Sequence, residues 1–142
     1  MNDSNELLAE IYRGAEMGTQ SIDLILNKVS DPQMKKELIR ERKAYEAFGE
    51  KAADEITNHN ETPEPVSKMQ EMGAWMGIQM NTLLDKSPSH IADLMIQGND
   101  MGIIGITKSV NKHKDADDAA VNLANELVRM QQQHIENLKK FL

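Results

Sequence analysis

Apolar residues recur along the chain at steps of three and four. Leu8, Ile11, Ala15, Gly18, Ile22, Ile25 and Val29 fall on one stripe of a helix of about 25 residues. Asp3 and Glu6 stand where a capping box would open it. Asp31-Pro32 supplies an N-cap and a proline at the first helical position, so a second helix begins almost without a loop. Its stripe reads Leu38, Arg42, Tyr45, Gly49, Ala52 and Ile56, and so short a turn between long helices predicts an antiparallel hairpin. Thr57 to Pro65, rich in Asn, His, Glu and Pro, reads as a linker. A shorter helix is expected from Val66 to Leu84. Ser87-Pro88 then repeats the cap-and-proline signal before a stripe of Ile91, Leu94, Gly98, Met101, Gly105 and Ser109 that ends near His113. Asp115 to Asp118 caps the last helix, whose stripe is Ala120, Leu123, Leu127, Met130 or Gln131, His134, Leu138 and Phe141.

An internal repeat groups these helices in pairs. Gly14-Ala15-Glu16-Met17-Gly18, followed by Ile22, Asn27-Lys28 and Asp31, returns as Gly98-Asn99-Asp100-Met101-Gly102, followed by Ile106, Asn111-Lys112 and Asp115. A shift of one more residue aligns Leu38 with Leu123, Glu41 with Glu126 and Glu46 with Gln131. The expectation is one all-α domain over residues 1–142: a hairpin at 4–59, a crossover helix at 65–85 and a second hairpin at 88–142. Two hairpins joined by a long connection predict a four-helix bundle with one crossover.

Composition narrows the function classes. Aromatics make up 4% and β-branched alternation is absent, which leaves little to build strands from. No cysteine is present, excluding disulfides, thiolate zinc sites, iron–sulfur clusters and cysteine nucleophiles. A net charge of −7 has the wrong sign for a nucleic-acid or anionic-membrane binder. The start, Met1-Asn2-Asp3-Ser4-Asn5-Glu6, has no basic, apolar leader, and no later run is long enough to span a bilayer. A cytoplasmic protein is therefore expected. Phosphate-binding loops, H-E-x-x-H, G-x-S-x-G and EF-hand loops are all missing.

Two duplicated helical hairpins with a long crossover resemble the ferritin-like superfamily over essentially the whole chain, and more narrowly its small bacterial members. Leu127 to Leu138 is similar to that family's last helix, where an E-x-x-H pair binds iron. The resemblance implies a Glu from each of two helices and a Glu-x-x-His from each of the other two. This chain departs from that pattern: Gln131 and His134 stand at one Glu-x-x-His position, Glu46 and Gly49 at the other, and the single-Glu positions fall near Ala15 and Asn99. Glu16 and Asp100 lie on the outer side of their helical wheels and read as surface acids. A dinuclear redox enzyme is thus disfavoured, because two metal ions need several carboxylates. The expectation is a non-catalytic bundle with a structural or interaction role. The alternative is an iron-handling or oxidative-stress protein holding a single iron or manganese ion through His134, Gln131, Glu46 and Asn99. Arg42 and Tyr45 join these as a candidate buried polar network.

All eight glycines fall in predicted helices, at about 0.8–1 kcal/mol each relative to Ala. Gly14/Gly18, Gly73/Gly77 and Gly98/Gly102 are spaced G-x-x-x-G, which fits close helix packing or an interface with a second copy or another protein. Met69, Met72, Met76 and Met80, near Trp75, read as adaptable core or docking surface rather than a Cu(I) site. His59, His90 and His113 are expected at the surface, His113 being well placed at a helix C-terminus.

Overall fold

The computed structural model describes residues 2–64, 77, 79 and 83–142. Within them the chain forms four helices and no strand: α1 (Asp3–Leu26), α2 (Pro32–Asn58), α3 (Pro88–Lys112) and α4 (Asp118–Lys139). The crossover helix expected at 65–85 falls almost wholly outside the described residues, as do Gly73, Trp75 and the Met69, Met72, Met76 and Met80 row. Among the described residues no helix is long and apolar enough to cross a membrane.

Capping follows the local chemistry. Asp31, Ser87 and Asp117 each accept a backbone N–H three residues on, from Met34, His90 and Ala120, and Pro32 and Pro88 sit where their missing N–H costs nothing. At α1 the cap differs from the sequence expectation. Asn2, not Asp3, accepts the Asn5 N–H at 2.7 Å. Asp3 lies inside the first turn, and its side chain is free to reach another helix.

α1 packs mainly on α2 and α3 mainly on α4, giving two hairpins; α1 also touches α3 and α4. The α1 stripe is buried throughout, from Leu8 to Val29. In α2 the inner face runs through Met34, Glu37, Leu38, Glu41, Tyr45, Phe48, Gly49, Ala52 and Ile56. The step after Leu38 goes to Glu41 rather than Arg42. In α3 the expected stripe holds at Ile91, Leu94, Gly98 and Ser109, while Met101 is half-buried, Gly105 faces out and Ile106 turns inward. The cause is that 3.6 residues per turn slowly rotates any fixed spacing off the seam.

One glycine, Gly18, is required by close approach to a ring, and a second, Gly102, lies against the end of the Gln131 side chain. A Cβ on Gly18 would lie 2.5 Å from ring atoms of Tyr45, and one on Gly102 would overlap the Gln131 amide. Gly14 and Gly49 have room for a methyl group, and Gly77 and Gly105 face open space. Packing inside the bundle therefore accounts for Gly18. Gly14, Gly102 and Gly105 also line a groove of about 360 Å³ between α1 and α3, together with Met17, Met101 and Ile104.

Candidate functional site

The half of the core nearer the α1–α2 turn carries a polar seam. Glu37 and Glu41, one turn apart on α2, face Gln131 and His134 on α4; Glu41 is 0% exposed and His134 2%. Spacings of three and four put each pair on one side of its helix. Arg40, at the surface, contacts the Glu37 carboxylate. Glu41 Oε1 lies 3.7 Å from His134 Nδ1. The His134 ring meets Tyr45 edge-on at 5.1 Å. From Tyr45 the seam crosses the bundle: its hydroxyl donates to Asn99 Oδ1 at 2.6 Å, and Asn99 Nδ2 donates to the Met95 carbonyl at 2.8 Å.

Burial sets the protonation states. It pushes the Glu41 carboxyl up to about 10, helped by its hydrogen bond to Glu37 and by the Glu37 charge; Arg40 opposes. Burial would also raise Glu37, but the Glu41 proton and the Arg40 guanidinium outweigh it and hold Glu37 below its ordinary value. The two carboxyls therefore share one proton, carried by Glu41 and donated to Glu37. Burial and the Arg40 charge push His134 down to about 4. Near neutral pH Glu41 and His134 are both uncharged, so their 3.7 Å approach is a contact of neutral groups and not an ion pair. Burial raises the Tyr45 phenol above its usual value.

The seam is incompletely satisfied. Both Glu41 oxygens, Gln131 Oε1 and His134 Nδ1 are inaccessible to water, and no N–H or hydroxyl of the chain reaches them. The shared proton answers for one Glu41 oxygen; the other three atoms stay unpaired. As a donor set they offer carboxylate and amide oxygens and one imidazole nitrogen, which suits a single divalent iron, manganese or zinc ion. Two ions do not fit, because the seam brings only two carboxyls, Glu37 and Glu41, to the site.

Of the residues expected from sequence, His134, Gln131, Asn99 and Tyr45 are brought together in this core. Glu46 and Arg42 are not. Glu46 is 55% exposed, and Arg42 reaches outward to bond Glu46 at 2.9 Å and Asp23 at 2.5 Å. Their hydrophilic ends stay in water because the inner face of α2 passes through Glu41 and Tyr45. Glu37 and Glu41 were missed as site residues. Their spacing from Leu38 and Tyr45 is the one signal that could have found them. His113, expected at the surface, is 5% exposed. Among the described residues, only Asp3, Glu6 and His113 draw three carboxylate or imidazole donors within 4.8 Å of one another. No family model matches the chain, and no curated protein or solved structure shows significant similarity to it.

Proposed function

We propose that this chain is a non-catalytic, ferritin-like four-helix bundle that holds one divalent metal ion in its core through Glu41, His134 and Gln131, with Glu37 completing the charge. The two hairpins and the repeat between Gly14 and Gly98 support the ferritin-like part of this reading. One observation carries the metal part: Glu41 and His134 are sealed in the core, face each other at 3.7 Å, and leave three ligand atoms without partners. An unsatisfied buried polar group costs about 1–3 kcal/mol, and such costs persist where the group has a ligand to meet. The ion takes the place of the Glu41 proton, so its affinity rises with pH and its binding releases a proton.

Protein purified from cells supplemented with iron and manganese is expected to lose about one bound ion per chain when His134→Ala is introduced, as metal analysis would record, because neutral imidazole is the nitrogen ligand. Equal metal content in both proteins would instead favour a second reading, supported by the proton that Glu37 and Glu41 share: a core closed by hydrogen bonding alone, in a bundle whose work is to bind other proteins.

Assembly as a homodimer belongs to this proposal through the groove between α1 and α3, where Ile104 is exposed beside Gly105. Ile104→Glu is expected to shift sedimentation from dimer to monomer; sedimentation at the same mass as the parent chain would remove that face from consideration.

A further inference from the structure

At the end of the bundle opposite Glu41, Asp3 and Glu6 lie one turn apart at the start of α1 and face His113, the residue that closes α3. His113 Nδ1 is 3.4 Å from Asp3 Oδ1 and 3.3 Å from Glu6 Oε2. One imidazole N–H thus stands before two carboxylates. The second Asp3 oxygen accepts the Asp115 N–H at 3.0 Å, which fixes the Asp3 carboxylate in the orientation that offers Oδ1 to the cluster.

The surroundings also favour a cation. His113 sits at the negative end of the α3 dipole. A surface pocket of about 400 Å³ opens against Glu6 and His113, and its wall bears Glu10, Glu61 and Glu64 against Arg13 and Lys112. That excess of carboxylates draws cations in. In the same wall Asn5 donates its amide to Glu61 at 3.2 Å, and leaves its carbonyl oxygen buried with no partner.

The geometry points to a divalent transition-metal site formed by Asp3 Oδ1, Glu6 Oε2 and His113 Nδ1, with pocket water completing the shell. An imidazole with two carboxylates selects zinc, iron or manganese over calcium or magnesium, which prefer all-oxygen shells. The ion replaces the Nδ1 proton and ties the start of α1 to the end of α3. This site is independent of the core reading, and the two are separable by experiment.

Zn²⁺ is the probe, titrated calorimetrically into chelator-treated full-length Glu41→Gln protein, in which the core donor set is broken. About one Zn²⁺ per chain is expected to bind there, with the His113 ring nitrogens shifting in ¹⁵N spectra. Adding Glu6→Gln is expected to weaken that binding at least about tenfold. Asp3→Asn, which keeps an acceptor for the Asp115 amide, gives the same loss by a separate route, and far-UV circular dichroism verifies that each variant is folded. Absence of Zn²⁺ binding in Glu41→Gln protein, or binding that Glu6→Gln and Asp3→Asn leave untouched, overturns the site. Zn²⁺ retained by Asp3→Asn/Glu6→Gln protein and lost from Glu41→Gln protein would speak for the core alone.

Discussion

In metal-free buffer at pH 7 to 8, Glu41→Gln protein is expected to be more stable than the parent chain by about 3 kcal/mol or more. The sign follows from the proton. The Glu41 carboxyl has a folded value near 10 against an ordinary value of 4.5, so the native state binds this proton more tightly than the unfolded chain does. Its stabilising contribution is complete below pH 4.5 and is lost as the pH rises toward 10. At pH 7, 2.5 units above 4.5, the loss is about 3 kcal/mol. His134 has the opposite sign: with its value lowered from 6.5 to about 4, its contribution is complete above pH 6.5 and is lost as the pH falls toward 4. The two slopes oppose each other between pH 4.5 and 6.5. Above pH 6.5 Glu41 dominates, His59, raised by the Glu55 carbonyl and Asp117, adds a smaller loss of the same sign, and parent stability should fall by about 1.4 kcal/mol per pH unit or slightly more. Glutamine removes the ionisation while its amide still donates to Glu37. Denaturant unfolding at pH 6.5, 7.5 and 8.5 with chelator present checks this. A parent curve as flat as that of the variant would mean that Glu41 is not a buried acid.

Gly18→Ala is expected to destabilise the fold by about 2 kcal/mol, although alanine is the better helix former by about 1 kcal/mol. The new methyl group would stand 2.5 Å from ring carbons of Tyr45. That ring cannot swing aside cheaply, because its hydroxyl is anchored on Asn99 and its other side meets His134. Gly49→Ala is the matched comparison, since its methyl group makes only an ordinary 3.7 Å contact with the Ala15 Cβ, and it should gain about 1 kcal/mol. Thermal unfolding of both variants measures the contrast. A Gly18→Ala protein as stable as Gly49→Ala protein would show that α1 and α2 are not in such close contact.

How much of this was legible in the sequence depended on whether local spacing decides the matter. The seven α1 positions from Leu8 to Val29 were readable because every one is apolar or small and the step never becomes ambiguous. Three helix caps were readable because Asp31, Ser87 and the Asp117 region precede proline or a fresh apolar stripe. The α2 register was not. Glu41 and Arg42 follow Leu38 at steps of three and four, both are charged, and hydrophobicity alone does not choose between them. Taking Arg42 inward brought Glu46 in with it. The structure takes Glu41 instead, at the cost of keeping a carboxyl protonated, a price that no helical wheel displays. Asp3 and Glu6 were read as a cap because acids in a first turn usually serve there. Their actual neighbour, His113, lies 110 residues away, beyond any local pattern.

The contacts that α1 makes with the turn between α3 and α4 bear on the order in which the molecule comes together. Asp3 accepts the Asp115 amide, and the Ser4 hydroxyl accepts the Asp117 amide at 2.8 Å, across separations of 112 and 113 residues. Each hairpin closes through neighbours in the chain, whereas these two bonds close a loop of nearly the whole molecule and come at a larger entropy cost. The hairpins are therefore expected to form early in folding, and this latch late. Because neither turn amide has a helical partner to fall back on, both lose protection from solvent exchange the moment the halves separate, while the helices themselves stay wound.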